Sequence, residues 1–272
     1  MLIRVGYEIA FNFSQPTAVL MMLYVHPSRA SSIRRPERLE VEPPVFISEF
    51  VDSFGNRCGR AFVPAGRVVF RNDAIVEDSG QPDPQAWNAP QHNVQDLPND
   101  VFEFLLASRY CEVDSELKAL AANLFTATPL GWARVLSISN FVFQHVRFDY
   151  QNARANRTAL ETFRERTGVC RDFTHLAITL CRCLNIPARY CTGYLGDIGV
   201  PPAASPMDFS AWFEVYLGGC WWAVDPRNHI PRIGRILMAR GRDAADTALT
   251  TTFGVNQLLS FKVWTDEVPH AQ

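Results

Sequence analysis

A change of hydrophobic period divides this sequence into two halves. In the stretch VGYEIAFNF (5–13), apolar side chains alternate with other residues, and a period of two is typical of β-strands. From about residue 100 onward, apolar residues recur every three or four positions, which is typical of helices. Between the halves, residues 79–99 (SGQPDPQAWNAPQHNVQDLPN) are rich in Pro, Gln, Asn and Asp. The sequence therefore predicts a β-rich domain over 1–80, a linker over 81–99 and a second domain over 100–272.

The first half carries further strand and turn signals. DSFGN (52–56) predicts a turn, because Gly and Asn tolerate positive φ and Asp hydrogen-bonds across the bend. Short apolar runs predict strands over 18–25, 68–70 and 74–76. An antiparallel sandwich or barrel accommodates these strands.

The second half combines helices with strands. The helical period predicts helices over 115–125, 132–146, 160–166 and 170–184. Pro187 ends the last of these, because proline cannot continue the hydrogen-bond ladder. The remaining apolar runs predict strands over 188–195, 209–217, 221–225 and 258–264.

Charge and hydropathy exclude several classes of partner. The chain has 26 Lys+Arg and 28 Asp+Glu, and its densest basic stretch, 232–242, is interleaved with apolar residues as in a folded edge. We therefore expect no nucleic-acid partner. The N-terminal sequence MLIRVGYEIAFNF lacks the apolar core of a signal peptide, and no apolar stretch approaches the ~20 residues that span a bilayer. We expect a cytoplasmic protein without a membrane partner; its oligomeric state is left open.

The cysteines predict neither disulfides nor a metal site. The sequence has seven, an odd number, and with no secretion signal we expect all of them to be reduced. Cys181 and Cys183 are spaced too closely for a zinc knuckle, and no pair of histidines completes a site. We therefore expect no metal and no cofactor.

One cysteine has the position of a nucleophile. Cys170 follows Gly168 and begins the predicted helix 170–184. The unpaired backbone N–H groups at a helix start carry partial positive charge, which stabilises a thiolate and lowers its pKa. The alternative is that Cys170 is a small buried apolar side chain, as most cysteines are.

A predicted hairpin brings an acid into the same region. Gly218-Gly219 joins two strand-like runs, as in a two-residue hairpin. That register pairs Leu217 with Cys220 and places Ser210, Trp212 and Asp225 on one face. A carboxylate there suits the orienting member of a catalytic triad. The alternative is that Asp225 simply ends its strand before Pro226.

Taken together, these segments resemble the transglutaminase-like superfamily, and especially a bacterial branch that has an N-terminal β-domain. The resemblance implies an α+β protein: a β-sandwich or barrel, then a papain-like core with the cysteine-bearing helix packed on an antiparallel sheet. It covers about half of the chain. It is carried by TGVCRDFTH (167–175), IPARY (186–190), Gly193-Tyr194, DFSAWFEVY (208–216), WAVDPRN (222–228), PRIGR (231–235) and GRDAAD (241–246).

The same resemblance implies a Cys-His-Asp site with one departure. Cys170 matches the nucleophile and Asp225 the acid, but Ser210 stands where the family has histidine. A hydroxyl cannot serve as the base, because its pKa lies far above neutral. Three explanations are open: a natural pseudoenzyme, an engineered inactive mutant, or another histidine in the role. His229 is the first choice for that role, while His175 and His145 are less well placed.

Two aromatic residues complete the predicted site. Trp212 is expected to wall the thiol cleft, or else to pack within the sheet. The resemblance places Tyr150 near the cleft as an oxyanion donor or a wall, and the alternative is that it packs in the core. The first functional hypothesis is a thiol hydrolase or acyl transferase that acts on an amide or peptide bond through a Cys170 thioester. Its substrate is a peptide, a protein or a small amide, with His229 also predicted to contact it. The alternative is a catalytically impaired member that binds a peptide or protein partner in the cleft; a purely structural role is the third.

Overall fold

The computed structural model of the chain describes residues 1–202 and 206–269. The elements before residue 80 are β1 (Leu2–Phe13), β2 (Thr17–Met21), β3 (Ile33–Arg35), β4 (Glu40–Glu42), β5 (Ile47–Val51), β6 (Arg57–Val63) and β7 (Gly66–Glu77). Those that follow are α1 (Leu117–Phe125), α2 (Trp132–His145), β8 (Arg147–Phe148), α3 (Ala159–Glu165), β9 (Thr167–Gly168), α4 (Cys170–Cys183), β10 (Ala188–Leu195), β11 (Ser210–Leu217), β12 (Cys220–Val224), β13 (Arg235–Gly241), β14 (Thr250–Thr252) and β15 (Asn256–Glu267).

Two antiparallel sheets build most of the N-terminal half. One has the strand order β15–β1–β7–β3, with β4 also paired to β7, and the other has the order β14–β2–β6–β5. Buried side chains of both sheets form one hydrophobic cluster, which also takes in Tyr194, Ile236 and Met238 from later in the chain. The predicted α+β class with a strand-rich N-terminal region is confirmed.

The last strand, β15, lies in the first of these sheets, where it pairs antiparallel with β1. Ile3 stands opposite Glu267, and Phe13 stands opposite Asn256. Residues from the predicted second domain therefore complete the N-terminal sheet. Without β15, the backbone N–H and C=O groups on one edge of β1 would be unpaired.

A single strand of 12 residues, β7, replaces the two short strands predicted over 68–70 and 74–76. Asn72 and Asp73 remain in the ladder, opposite Tyr7 and Gly6 of β1. Buried Asn72 accepts a hydrogen bond from the backbone N–H of Arg38 at 3.0 Å, and Asp73 forms ion pairs with neighbouring arginines. These partners bind the Oδ1 of Asn72 and the carboxylate of Asp73 while both residues stay in the ladder, so the chain does not turn there.

The second half is a helical layer on a four-stranded antiparallel sheet of order β12–β11–β10–β13. Helix α4 packs against β10 and β11, and all its residues from Asp172 to Arg182 are buried. The helices predicted over 115–125, 132–146, 160–166 and 170–184 appear as α1 to α4 with ends shifted by two residues at most. Within the basic stretch 232–242, expected to be folded, residues Arg235–Gly241 form β13, an edge strand that was not predicted.

The predicted hairpin has the predicted register. Leu217 pairs with Cys220 and Phe213 pairs with Val224, so β11 and β12 are joined by Gly218 and Gly219 alone. Both glycines have positive φ, 60° and 85°, which a two-residue turn of this kind requires. The ladder ends at Val224, one position before Asp225.

Residues 81–99, predicted as a linker, lie against the second half. Asp83 accepts hydrogen bonds from the Arg235 guanidinium at 2.8 Å and from the backbone N–H of Arg232 at 2.9 Å. Farther along, the Gln91 side chain donates to the carbonyl of Leu184 at 2.8 Å. These contacts attach the segment to the core, and the domain boundaries near residues 80 and 100 stay a prediction. In the described ranges, no helix is long and apolar enough to span a bilayer.

Candidate active site

Cys170 is the first residue of α4. Val169 before it is extended, and its backbone N–H donates to the Asp172 carboxylate at 2.9 Å. Gly168 must lack a side chain, because a Cβ there would lie 2.6 Å from the Cβ of Asp172. The local sequence thus starts the helix at the thiol, where unpaired backbone N–H groups provide a positive field.

A buried ion pair holds this helix start in place. The Asp172 carboxylate, with no exposed surface, pairs with Arg157 at 3.0 Å and with Arg171 at 3.2 Å. Arg157 also donates to the carbonyl of Asn152 at 2.8 Å. The chain that precedes α3 is therefore tied to the first turn of α4, which fixes the position of Cys170.

Half-buried Cys170 lies between two cavities that share Cys170, Asp208, Phe209 and Ser210. The smaller, about 70 Å³ in volume, is the polar cavity. Its other lining residues are Phe148, Tyr150, Leu195, Asp197, Pro206, Met207, Arg227, Asn228 and Arg232. The larger, about 610 Å³, is the apolar groove. Its other lining residues are Ile9, Phe11, Tyr110, Ala153, Arg154, Ala155, Val169, Arg171, Tyr190, Thr192, Ala211, Ala244, Thr247, Ala248, Leu249, Thr250, Leu258 and Phe261.

The thiol of Cys170 is protonated at neutral pH. Loss of water around it raises its pKa to about 11, and the nearby carboxylates of Asp208 and Asp225 push it in the same direction. The hydrogen bond from the backbone N–H of Ala211 is the second-largest effect; it and the one from Arg171 lower the pKa, each by less than burial raises it. The predicted lowering of the pKa by the helix start is therefore outweighed by desolvation and negative charge.

Ser210 is the first residue of β11, opposite Gly193 of β10, and it lines both cavities beside Cys170. The structure thus brings together the two positions at which the predicted site has a thiol and a hydroxyl. Neither cavity is lined by a histidine in the part of the chain that the structure describes.

Asp225 lines a third cavity, although its carboxylate lies near enough to Cys170 to raise the pKa of the thiol. The Arg235 guanidinium contacts both Asp225 and Trp212, and the grouping of Ser210, Trp212 and Asp225 into one site stays a prediction.

The Oδ1 of Asp225 accepts the backbone N–H groups of Arg227 at 3.1 Å and Asn228 at 2.9 Å. Its Oδ2 accepts the Asn228 amide at 2.8 Å and the Arg235 guanidinium at 3.3 Å. Four donors satisfy the roughly four acceptor positions of a carboxylate. Asp225 therefore anchors the turn that follows β12.

His229 and Trp212 do not line the cavities of Cys170 either. His229 has a φ of 54°, and this left-handed turn directs its ring onto Phe143 and toward the hydroxyl of Ser139 at 3.3 Å. There it lines a separate cavity of about 490 Å³. The Trp212 ring is buried beneath the Arg235 guanidinium, 4.6 Å from the ring centroid. This burial favours the packing alternative for Trp212.

The remaining two candidates for the base are structural. His175 is fully buried, stacks on Tyr110 and packs against Tyr190, and burial lowers its pKa well below the usual value. Its Nε2 accepts the backbone N–H of Ala244 at 3.2 Å. His145 lies between two phenylalanine rings and hydrogen-bonds the carbonyl of Phe163 at 2.8 Å.

Tyr150 lies where it was predicted, and it has a partner that the sequence did not single out. Its hydroxyl donates to the Asp208 carboxylate at 3.4 Å, and both residues line the polar cavity with Cys170. Burial raises the pKa of Asp208, and burial beside that carboxylate raises the pKa of Tyr150 to about 12. Asp208 could have been found from its spacing, because residues two apart on an extended chain face the same side and Ser210 follows two positions later.

Comparisons with known proteins show the family and the overall fold. A family model described as the transglutaminase-like superfamily matches residues 118–226. A crystal structure described as a "Putative Cysteine Protease" from Cytophaga hutchinsonii is 31% identical, with a TM-score of 0.85, over 100% of this chain and 92% of that one. An uncharacterized Mycobacterium tuberculosis protein is 26% identical over 231 residues, which are 77% of this chain and 73% of that protein. A Mycobacterium leprae protein is 33% identical over 94 residues, 34% of this chain, and the match spans about a third (33%) of its own length.

Proposed function

Since this chain belongs to the transglutaminase-like superfamily, we propose that it is a thiol-dependent hydrolase or acyl transferase that acts on an amide or peptide bond at Cys170. The sulfur of Cys170 adds to the carbonyl carbon, the C–N bond breaks, and the thiol proton leaves with the amine. Water then releases the acid and restores the thiol, or a second amine forms a new amide. The substrate is a peptide, a protein or a small amide.

The observation that carries this proposal is the position of Cys170 at the start of α4 and at the junction of two cavities. A carbonyl that reaches the sulfur also reaches the backbone N–H groups at the helix start. Those groups can stabilise the negative oxygen that develops in the transition state, which is commonly the largest single contribution to catalysis.

Asp208 is our choice for the group that accepts the thiol proton. It lines both cavities beside Cys170, and its pKa is raised, so it holds a proton more readily than an exposed carboxylate does. In this proposal the Asp208 carboxylate takes the proton from sulfur during attack and returns it to the leaving amine. The hydroxyl of Tyr150 holds the carboxylate in position. General acid–base catalysis of this kind supplies about 10²–10⁴-fold in rate.

The alternative function is that of an impaired member that binds a peptide or protein partner in the cleft. Three observations favour it, of which the first two are that Ser210 supplies no base and that the pKa of Cys170 is about 11. The Asp225 carboxylate is also fully engaged with other donors. The two functions differ in whether Cys170 becomes acylated. A cytoplasmic location stays a prediction in either case.

Acylation of Cys170 by p-nitrophenyl acetate separates the two functions. We expect an acyl adduct on the Cys170 peptide that hydroxylamine removes, as it removes thioesters, and that disappears in Cys170→Ser. Peptide mass spectrometry also reports exposed Cys220, which serves as the internal reference. If Cys220 is acylated and Cys170 is not, the enzymatic proposal is wrong and the binding function stands.

The charge of Asp208 gives a second prediction. Because this carboxylate raises the pKa of Cys170, Asp208→Asn is expected to move the pH midpoint of Cys170 alkylation by iodoacetamide downward from about 11. The same substitution is expected to slow release of p-nitroaniline from a peptide anilide, because the leaving amine loses its proton donor. Asp149→Asn is the matched control, since that acid does not line either cavity. A midpoint that rises in Asp208→Asn would contradict the placement of its charge beside the thiol.

A further inference from the structure

The apolar groove has walls from both ends of the chain. Ile9 and Phe11 of β1 stand opposite Phe261 and Leu258 of β15, and all four line the groove that reaches Cys170. Phe261 also packs edge-on against Phe209, next to Ser210, with ring centroids 5.8 Å apart. The pairing of β1 with β15 thus builds an apolar wall beside the thiol.

This wall is open to a ligand. The Leu258 and Phe261 side chains remain 52% and 38% exposed, although they adjoin a cavity of about 610 Å³. Exposed large apolar side chains that adjoin a concave site are characteristic of ligand pockets. On the other side of Cys170, the polar cavity measures only about 70 Å³. A large group attached near the reacting carbonyl is therefore accommodated in the groove.

The charged residues of the groove have partners within the protein. Arg154 pairs with Glu161 at 2.9 Å and with Glu165 at 2.8 Å. Arg171 pairs with Asp172, and its guanidinium also donates to backbone carbonyls of the 154–155 segment. The third charged residue that lines the groove is Asp208, at the Cys170 end. A carboxylate of the protein already offsets the positive charge of each guanidinium, and the Nε atom of each that has no partner is buried, so an anionic ligand gains little counter-charge there.

We propose that the apolar groove binds an uncharged, apolar or aromatic portion of the substrate, next to the carbonyl that Cys170 attacks. This inference rests on the proposed function, since it takes Cys170 as the reacting atom. It names the substrate class as amides or peptides with a large apolar group near the scissile bond. Leu258 and Phe261, the two residues that β15 contributes to the apolar wall, determine the preference for such substrates.

Alkylation of Cys170 by a pair of chloroacetamides tests the inference without a known substrate. The apolar probe is 2-chloro-N-(2-phenylethyl)acetamide, and the anionic probe is N-chloroacetylglycine. Rates at Cys170 are followed by peptide mass spectrometry in alkaline buffer, where the thiol ionises, and are divided by the rates with N-acetylcysteine. We expect the apolar probe to react about tenfold faster after this correction, which is the scale for burial of one aromatic ring.

Two variants show which side chains cause the faster reaction of the apolar probe. Leu258→Ser/Phe261→Ser is expected to reduce the corrected ratio to about twofold, since most of the apolar contact is lost. Leu259→Ser is the matched control: it lies on the same strand and is 47% exposed, but it does not line the groove. Its ratio should stay that of the unchanged protein. Thermal melting of all three proteins confirms that they are folded.

Each result decides the matter. The inference is overturned if the corrected ratio is near one in the unchanged protein. It is also overturned if Leu259→Ser lowers the ratio as much as Leu258→Ser/Phe261→Ser does. In both cases the proposed function stands as long as Cys170 reacts. A ratio that favours the anionic probe overturns the inference as well. If Cys170 reacts with neither probe and not with iodoacetamide, the proposed function fails and this inference fails with it.

Discussion

Ser210→His is expected to speed the alkylation of Cys170 at neutral pH by about 10²-fold or more, because a neighbouring imidazolium stabilises the thiolate. With a pKa of about 11, the thiolate is a minor species at neutral pH. Ser210 lines both cavities beside the thiol, so an imidazole at this position has room to approach the sulfur. The rate of carbamidomethylation across pH, read at the Cys170 peptide, measures the effect.

Ser210→Ala is the control for this variant, because it removes the hydroxyl without adding a base. A Ser210→His rate no faster than that of Ser210→Ala would show that position 210 does not face the sulfur. Asp225 limits the increase in the alkylation rate. Its carboxylate already accepts four hydrogen bonds, so it has no free acceptor position for the N–H of a new imidazole. We therefore expect Asn228→Ala, added to Ser210→His, to raise the rate further by freeing an acceptor position.

Asp172→Ala is expected to lower the free energy of unfolding by about 3–5 kcal/mol, the cost of removing one partner from a buried ion pair. Arg157, whose side chain is only 3% exposed, would lose its fully buried carboxylate partner and keep only the more exposed Glu165, at 3.0 Å. The backbone N–H of Val169 would lose its acceptor as well. Urea unfolding followed by circular dichroism measures the change.

The matched control is Glu116→Ala, which breaks an ion pair with Arg164 whose side chains are 52% and 61% exposed. Exposed pairs of this kind contribute about 0–1 kcal/mol. If Asp172→Ala costs no more than Glu116→Ala, the pair does not hold the start of α4, and another contact positions Cys170.

Local patterns predicted the elements around the thiol well. The end of α4 before Pro187, the limits of β10 and the register of the Gly218-Gly219 hairpin depend on neighbouring residues in the sequence. Helical period, proline and paired glycines report such short-range constraints directly. The resemblance then supplied the family, which the comparisons confirm.

The site was harder to predict where the position of a side chain depends on the backbone conformation or on pairing between strands that are distant in sequence. His229 follows Asp225 closely in sequence, and its positive φ directs it into the cavity that Asp225 also lines, away from the two cavities of Cys170. The carboxylate of Asp225 is directed by Arg235, which comes from a strand that the apolar pattern did not reveal. The groove joins Ile9 to Leu258, and no periodicity within either segment predicts that they meet.

The pairing of β1 with β15 also has a consequence for synthesis of the chain. Contacts between residues far apart in sequence form late, because a long loop must close before they gain any stability. Before β15 is synthesised, a ribosome-bound chain already contains Cys170 and α4. At that stage the residues that β15 contributes to the apolar groove are missing, and the backbone groups on one edge of β1 are unpaired. Unpaired edges are sites of association between nascent chains. Pairing of β15 with β1 therefore covers this edge in the newly synthesised chain and also completes the apolar wall beside Cys170.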